Sequence, residues 1–94
     1  MAPAEVEAVL AGQDGVLEVA VVGLPDPAWG EIVCAVVVIE PGRPAPSLGD
    51  LRARCAGHLA AFKHPRVVHV VEALPRTATG QIQRRQLVEA LQAG

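Results

Sequence analysis

Aromatic and basic residues are scarce in this 94-residue chain. It has one Phe, one Trp and no Tyr, although 51% of its residues are apolar. The core must therefore be built from Val, Leu, Ile and Ala. Eight Lys and Arg residues are outnumbered by ten Asp and Glu, which gives a net charge of −2. Because the chain lacks a basic excess and aromatic stacking platforms, we expect no nucleic-acid partner.

Long hydrophobic runs and paired cysteines are also missing. The longest unbroken apolar run, Ile32–Ile39, is far shorter than the roughly 20 residues that cross a bilayer, so we expect no membrane span. The first residues, MAPAEVEA, contain acids where a secretory signal has a basic region. Two cysteines without CxxC spacing are typical of core thiols in a reducing compartment. We therefore expect one cytoplasmic domain over residues 1–94.

Groups that could form a catalytic or metal site are few. Ser47 is the only serine, and Cys34 and Cys55 fall at predicted core positions. Cys55 and His58 have helical spacing, but a packed core pair is the simpler interpretation. The histidines at positions 58, 64 and 69 lack the spacing of metal ligands, so we expect no metal site. Glycine-rich phosphate loops are absent as well, and the chain carries no self-contained catalytic constellation.

The first half of the chain predicts a helix and two strands. Residues 3–12 form a short helix, with Pro3 in its first turn and Gly12 at its end. Residues 16–24 are rich in β-branched residues and form a strand. Residues 31–40 form a second strand whose apolar run does not alternate, which places it centrally in a sheet covered on both faces. The short turn between these strands predicts an antiparallel pair.

The second half predicts a helix, a strand and a last helix. Ser47 and Asp50 resemble a capping box, and Lys63-His64-Pro65 ends the helix because proline disfavours helical geometry in the preceding residue. Residues 66–72 form the third strand, and a short last helix contains Leu87, Val88 and Leu91. The predicted core face of the middle helix comprises Leu48, Leu51, Cys55, His58, Leu59 and Phe62. The fold class is therefore α+β, a small three-stranded sheet flanked by helices in the order α-β-β-α-β-α.

The segment Leu74–Arg85, LPRTATGQIQRR, is the most polar part of this apolar chain. It contains three arginines and two threonines but no acid. In a structural interpretation, Pro75 ends a strand, Thr77–Gly80 turns, and the arginines begin a solvated helix. In a functional interpretation, hydroxyls, N–H groups near a glycine, and arginines form an anion-facing loop. Composition alone leaves both interpretations open.

Three ordered segments resemble one known family. VGLPDPAWGE, FKHPR and LPRTATGQIQRRQL, together with PAEVEAVL near the start, are similar to the C-terminal lid domain of the adenylate-forming acyl- and aryl-CoA ligases. That superfamily also includes the adenylation domains of nonribosomal peptide synthetases and the luciferases. The resemblance covers about residues 3–91.

The resemblance implies an enzyme built in two parts. A large N-terminal domain would bind ATP, with Mg²⁺, and a small-molecule carboxylic acid. The lid would close on it to form the acyl-adenylate and then rotate, so that CoA attacks to give a thioester and AMP. Peptide-synthetase adenylation domains usually have NGKxDR in the tail, whereas TATGxIxRR is similar to CoA ligases, which favours CoA over a carrier-protein pantetheine.

The resemblance also assigns candidate site residues. In the family, the residue after the tail glycine is a lysine, whose ammonium group pairs with the reacting carboxylate and phosphate oxygens during adenylation. The matching residue is Gln81, which can donate a hydrogen bond but carries no charge. The residues expected to face the substrate or nucleotide beside it are Thr77, Thr79 and Gly80. The basic candidates for contact with CoA or with the larger domain are Lys63, Arg66 and Arg84.

Three explanations for Gln81 are open: a deliberate substitution, a natural ligase or pseudo-ligase with altered chemistry, and local realignment. Lys63 is the only lysine in the chain, so no neighbouring lysine can replace the missing one. Arg84 and Arg85 would reach the site only after the loop rearranges. We expect the isolated chain to be inactive.

The family's hinge residue and a glycine-containing loop that serves thioester formation precede the PxEVE segment. This chain begins at Met1-Ala2-Pro3, so we expect a shortened lid or a stand-alone lid with a separate partner. The alternatives are a non-catalytic interaction module derived from the lid, the C-terminal subdomain of a peptide-synthetase adenylation domain, and an unrelated α+β binding domain.

Overall fold

A computed structural model describes residues 3–60 and 63–93, which form three helices and one mixed sheet. The elements are α1 (Pro3–Leu10), β1 (Val16–Asp26), β2 (Gly30–Ile39), α2 (Leu48–Cys55), β3 (Val67–Val70) and α3 (Arg84–Ala93). Their order confirms the predicted α-β-β-α-β-α arrangement and the α+β class.

The sheet has the strand order β1-β2-β3, with β2 in the centre. β1 and β2 are antiparallel, and β2 and β3 are parallel. Residues 33–38 of β2 are all buried. This burial confirms the central position predicted from an apolar run that does not alternate.

Each face of the sheet carries its own apolar core. On the first face, α1 and α2 cover a cluster of Val6, Leu10, Val21, Val33, Ala35, Leu51 and Cys55. On the second face, the segment after β3 and α3 cover Ala20, Val22, Cys34, Val36, Val38, Leu74 and Leu87. Both clusters consist of Val, Leu, Ala and Cys, as the scarcity of aromatic residues predicts.

β1 is longer than predicted and continues through Pro25 to Asp26. Proline has no backbone N–H group to donate. Because β1 is an edge strand, Pro25 can lie in it without removing a hydrogen bond to a neighbouring strand. The Asp26 carboxylate then accepts hydrogen bonds from the N–H groups of Ala28 at 3.0 Å and Trp29 at 2.8 Å. These bonds form the turn into β2, which closes at Gly30 with φ of +79°.

The middle helix, α2, is shorter than predicted. Its capping box is confirmed, because the Ser47 hydroxyl accepts from the Asp50 N–H and the Asp50 carboxylate accepts from the Ser47 N–H, both at 3.0 Å. The helix ends at Cys55, because Gly57 follows in the left-handed region with φ of +86°. His58 therefore lies exposed in a turn, and its predicted place on the core face is wrong. Phe62 lies outside the described residues.

Candidate functional site

The polar segment after β3 folds as a hairpin, defined here as residues 75–83. Its arms meet at an antiparallel bridge between Arg76 and Ile82. The Gln83 N–H donates to the Pro75 carbonyl at 2.8 Å, and the Thr77 N–H donates to the Gln81 carbonyl at 2.8 Å. The predicted turn over Thr77–Gly80 is present and forms the tip of this hairpin.

The tip of the hairpin turns at Gly80. The Gly80 N–H donates to the Thr77 carbonyl at 2.9 Å, and Gly80 has φ of +90°. This pattern is that of a three-residue hairpin loop with a glycine in the left-handed position, which side chains with a Cβ rarely adopt. The sequence TATG therefore forms a defined turn.

Four candidate residues lie together at this tip. The Thr77 and Thr79 hydroxyl oxygens are 3.0 Å apart, and Thr77 Oγ1 also accepts from the Gln81 N–H at 3.2 Å. Residues 77–81 are all exposed. Within the described residues, the Gln81 side-chain amide makes no hydrogen bond, so it is free to contact a group outside the chain.

Only some of the backbone N–H groups at the tip are used within the hairpin. The N–H groups of Thr77, Gly80 and Gln81 all donate within the hairpin. The Arg76 guanidinium is likewise occupied by the Glu18 carboxylate and the Gly80 carbonyl. What the tip offers to a ligand is the Gln81 amide, two hydroxyls and the N–H groups of Ala78 and Thr79, which make no hydrogen bond within the described residues.

Arg84, at the start of α3, binds an internal partner. Its Nη2 donates to both oxygens of the Glu7 carboxylate, at 2.7 and 2.6 Å. Glu7 Oε2 also accepts from the Val21 N–H at 2.7 Å, so one carboxylate joins α1, α3 and the free edge of β1. Arg84 therefore stabilises the fold through Nη2, while its Nη1 and Nε make no hydrogen bond within the described residues.

We expect Glu7→Ala to lower the free energy of unfolding by about 1–3 kcal/mol, because it leaves the Val21 N–H and the Arg84 guanidinium without their acceptor. Glu89→Ala is the matched control, since Glu89 pairs with Arg85 at 3.7 Å on an exposed helix face. That control should cost less than about 0.5 kcal/mol. Urea denaturation measures both, and equal losses would contradict the assigned role of Glu7.

Lys63 and Arg66 lie close together in sequence but contact different elements. The Lys63 ammonium donates to the Glu5 carboxylate of α1 at 2.9 and 3.1 Å. The Arg66 guanidinium stacks on the Trp29 ring, 4.3 Å from its centroid. Trp29 is 65% exposed, which makes this pair an accessible cationic and aromatic surface.

Trp29 is a functional candidate that sequence reasoning missed. The sequence places it in the turn between the first two strands, although it is the only Trp in a chain with few aromatic residues. Exposed tryptophans often anchor binding surfaces because they bury a large area with little conformational freedom to lose. Its rarity and its place in PDPAWG were the signals available.

The hairpin and the Trp29–Arg66 surface lie at opposite ends of β1. Arg76 contacts Glu18 near the start of β1, whereas the turn that carries Trp29 follows Asp26 at its end. Eight residues at a rise of about 3.3 Å place these positions about 26 Å apart. The hairpin and the Trp29–Arg66 pair are thus anchored at positions separated by most of the length of β1.

The cysteines lie on opposite sides of the sheet. Cys34 belongs to the cluster beneath α3 and Cys55 to the cluster beneath α1 and α2, and both are free and buried. Burial raises the pKa of the Cys34 thiol from 9.0 to about 11 and also raises the pKa of Cys55, against the opposing effect of Arg52 and Arg54. Because His58 lies beyond the end of α2, the helical Cys55–His58 pair is not formed.

We expect the native protein to react slowly with thiol reagents at pH 8 and to show two reactive thiols after denaturation, because reaction requires exposed thiolates. Since the native pKa of Cys34 exceeds its unfolded value, the unfolded state loses its proton first, and stability falls as the pH rises from about 9 to 11. Cys34→Ala should flatten this slope in urea titrations. An identical slope in both proteins would contradict the assignment.

Residues 3–60 and 63–93 contain neither of two further features, a metal site or a membrane-spanning helix. No group of three or more His, Cys, Asp or Glu side chains there could hold a metal ion. In the same part of the chain, no helix has the length and apolar character needed to cross a bilayer.

Comparison with known proteins identifies this arrangement. The fold and hairpin define a small α+β domain that presents the Gln81 side chain and two threonines outward from an ordered tip. The family model for the AMP-binding enzyme C-terminal domain matches residues 5–81. The chain therefore belongs to this family, which confirms the resemblance drawn from the motifs.

Individual relatives agree with the family match. The chain is 47% identical over 85 residues to fatty acid–[acyl-carrier-protein] ligase ScoC of Streptomyces coeruleorubidus, covering 90% of this chain and 16% of that protein. It is 45% identical over 92 residues to 4-chlorobenzoate–CoA ligase of Pseudomonas sp. strain CBS-3. That match covers 97% of this chain and 17% of that protein. The solved structure of Mycobacterium tuberculosis fatty acyl CoA synthetase superposes with a TM-score of 0.87 at 44% identity. The superposition covers 97% of this chain and 18% of that protein. The chain thus spans about one sixth of the length of these relatives.

Proposed function

We propose that this chain acts as the mobile lid of an ATP-dependent carboxylic acid–CoA ligase. The proposed full enzyme binds ATP, with Mg²⁺, and the acid on a large N-terminal domain, in the same or a separate chain. The observation that carries the proposal is the ordered hairpin that holds residue 81 exposed, in a chain that belongs to this family. The cytoplasmic location remains a prediction from composition.

The hairpin fits a lid that supplies one group to a site built elsewhere. The N–H groups of Thr77, Gly80 and Gln81 are used internally, which leaves the tip few backbone donors for a phosphate. A single outward side chain can still donate to a carboxylate or phosphate oxygen when the tip closes over a bound acid and nucleotide. Closure of this kind also excludes water from a reactive adenylate.

Gln81 occupies the position of the family lysine in this proposal. Its amide retains a hydrogen-bond donor but lacks the positive charge that balances developing negative charge during adenylation. Removing one preorganised donor from such a site typically costs about 10²–10³ in rate, and we expect the loss of a full charge to cost at least as much. The chain as it stands is therefore a poor adenylation lid.

The Trp29–Arg66 surface is the proposed second working face. Its distance from the hairpin suits an enzyme that uses one end of the lid for adenylation and another for transfer to the thiol acceptor. Arg66 and the exposed Trp29 ring offer a cation and a flat apolar surface, which suit the phosphates and the adenine of CoA or a contact with the larger domain.

A carrier-protein pantetheine is the second candidate acceptor. ScoC, with 47% identity, is named as a ligase that acts on an acyl carrier protein, and the Pseudomonas relative with 45% identity is named as a CoA ligase. CoA and a carrier protein both present a pantetheine thiol. The TATGxIxRR tail favours CoA.

A chimeric enzyme tests the lid function. Residues 3–93 replace the matching region of the M. tuberculosis fatty acyl CoA synthetase, which keeps its own large domain and preceding segment. With Gln81→Lys, we expect ATP- and acid-dependent pyrophosphate release at least tenfold above that of the large domain alone. Release no faster than that of the large domain would contradict the lid and favour an interaction module.

A further inference from the structure

Arg76 lies between β1 and the tip of the hairpin and contacts both. Its Nη2 donates to the Glu18 carboxylate on β1, and its Nη1 donates to the Gly80 carbonyl oxygen at 2.8 Å. Gly80 immediately precedes Gln81 and has φ of +90°. The orientation of the Gly80 peptide therefore sets the direction in which residue 81 leaves the turn.

Apolar packing reaches the hairpin at Ile82, which contacts the second core cluster, but not the residues of the tip before it. Residues 76–81 are exposed, and no atom lies within 4 Å of the position that a Cβ on Gly80 would take. The Arg76 side chain is 39% exposed and its partner Glu18 is 34% exposed, so both are partly withdrawn from water. A planar guanidinium makes two directed hydrogen bonds at a fixed angle, which a lysine ammonium cannot reproduce.

We propose that Arg76 is a positioning residue, which fixes the Gly80–Gln81 peptide relative to β1 and so aims the side chain at position 81. Glu18 anchors the guanidinium, and the guanidinium holds the Gly80 carbonyl. The consequence for catalysis rests on the proposed lid function, whereas the ordering of the hairpin does not.

Hydrogen exchange in the 94-residue chain tests the ordering. We expect Arg76→Ala to speed exchange of the Thr77 and Gly80 amides about tenfold, because both bonds close the turn. The Val71 and Glu40 amides, which donate to Val37 and Gly15 outside the hairpin, should change less than twofold. A purely structural role would change all four amides together, and Arg85→Ala should change none of them.

A charge exchange separates the two contacts of Arg76. Glu18→Arg combined with Arg76→Glu restores an ion pair with β1, but a glutamate cannot donate to the Gly80 carbonyl. We expect the double variant to recover global stability while the Thr77 and Gly80 amides still exchange rapidly. Recovery of slow exchange at these amides would overturn the proposal, as would slow exchange in Arg76→Ala.

Kinetics of the chimeric ligase test the consequence for catalysis. In the Gln81→Lys background, Arg76→Ala should lower kcat for pyrophosphate release about tenfold and leave KM for ATP within threefold. An unchanged kcat would overturn the positioning role. If the Gln81→Lys chimera is itself inactive, the lid function fails, and the exchange rates separately decide whether Arg76 orders the hairpin.

Discussion

Gln81→Lys in the chimeric ligase should raise the rate of ATP- and acid-dependent pyrophosphate release by about 10²–10³. The side chain at position 81 is exposed at an ordered tip and makes no hydrogen bond within the described residues. A lysine there would gain a positive charge without breaking an internal contact. The gain should appear in kcat, because the charge acts on groups that become more negative as the adenylate forms.

Gln92→Lys is the matched control for this prediction. Gln92 is exposed near the far end of α3, so the substitution adds the same charge away from the hairpin. We expect it to change the rate less than threefold. A similar gain from both substitutions would indicate a general charge effect, and no gain from Gln81→Lys would contradict the role assigned to position 81.

Leu51→Ala should destabilise the chain by about 2–5 kcal/mol, a large share of the roughly 5–15 kcal/mol typical of a folded domain. Leu51 is fully buried between α2 and the first face of the sheet. Among the described residues, the core cluster on that face contains only Val, Leu, Ala and Cys side chains. The cavity should therefore persist and add to the lost transfer free energy.

Leu17→Ala is the matched control for the core. Leu17 is 58% exposed at the start of β1, so the same truncation should cost less than about 0.5 kcal/mol. Urea denaturation at constant m-value measures both substitutions. Equal costs would contradict the assignment of Leu51 to the core.

The sequence predicts the elements well where one local signal dominates. The non-alternating run in β2 predicts its central position, and Ser47 with Asp50 predicts the start of α2. The predicted end of α2 is wrong. Apolar periodicity continues to position 62, but Gly57 adopts a positive φ, which ends the helix before that position. A glycine inside a helical pattern is ambiguous, and here backbone geometry decides against the pattern.

The candidate site is predictable in composition but not in geometry. Pro75 and Gly80 indicate a turn, and the family resemblance points to Gln81. The ion pairs that order this region join Glu7 to Arg84 and Glu18 to Arg76, across 77 and 58 residues of sequence. Pairings of that range depend on how the sheet and helices pack, which no local pattern specifies.

Separate measurement of the two half-reactions of the chimeric ligase is the sharpest test of the proposed role of position 81 in adenylation. Adenylation is followed as pyrophosphate release, and thioester formation is followed after adding preformed acyl-adenylate and CoA. We expect Gln81→Lys to raise adenylation about 10²–10³-fold and to change thioester formation less than threefold, because the proposed CoA face lies at the other end of β1. Equal effects on the two half-reactions, or none on adenylation, would contradict that role.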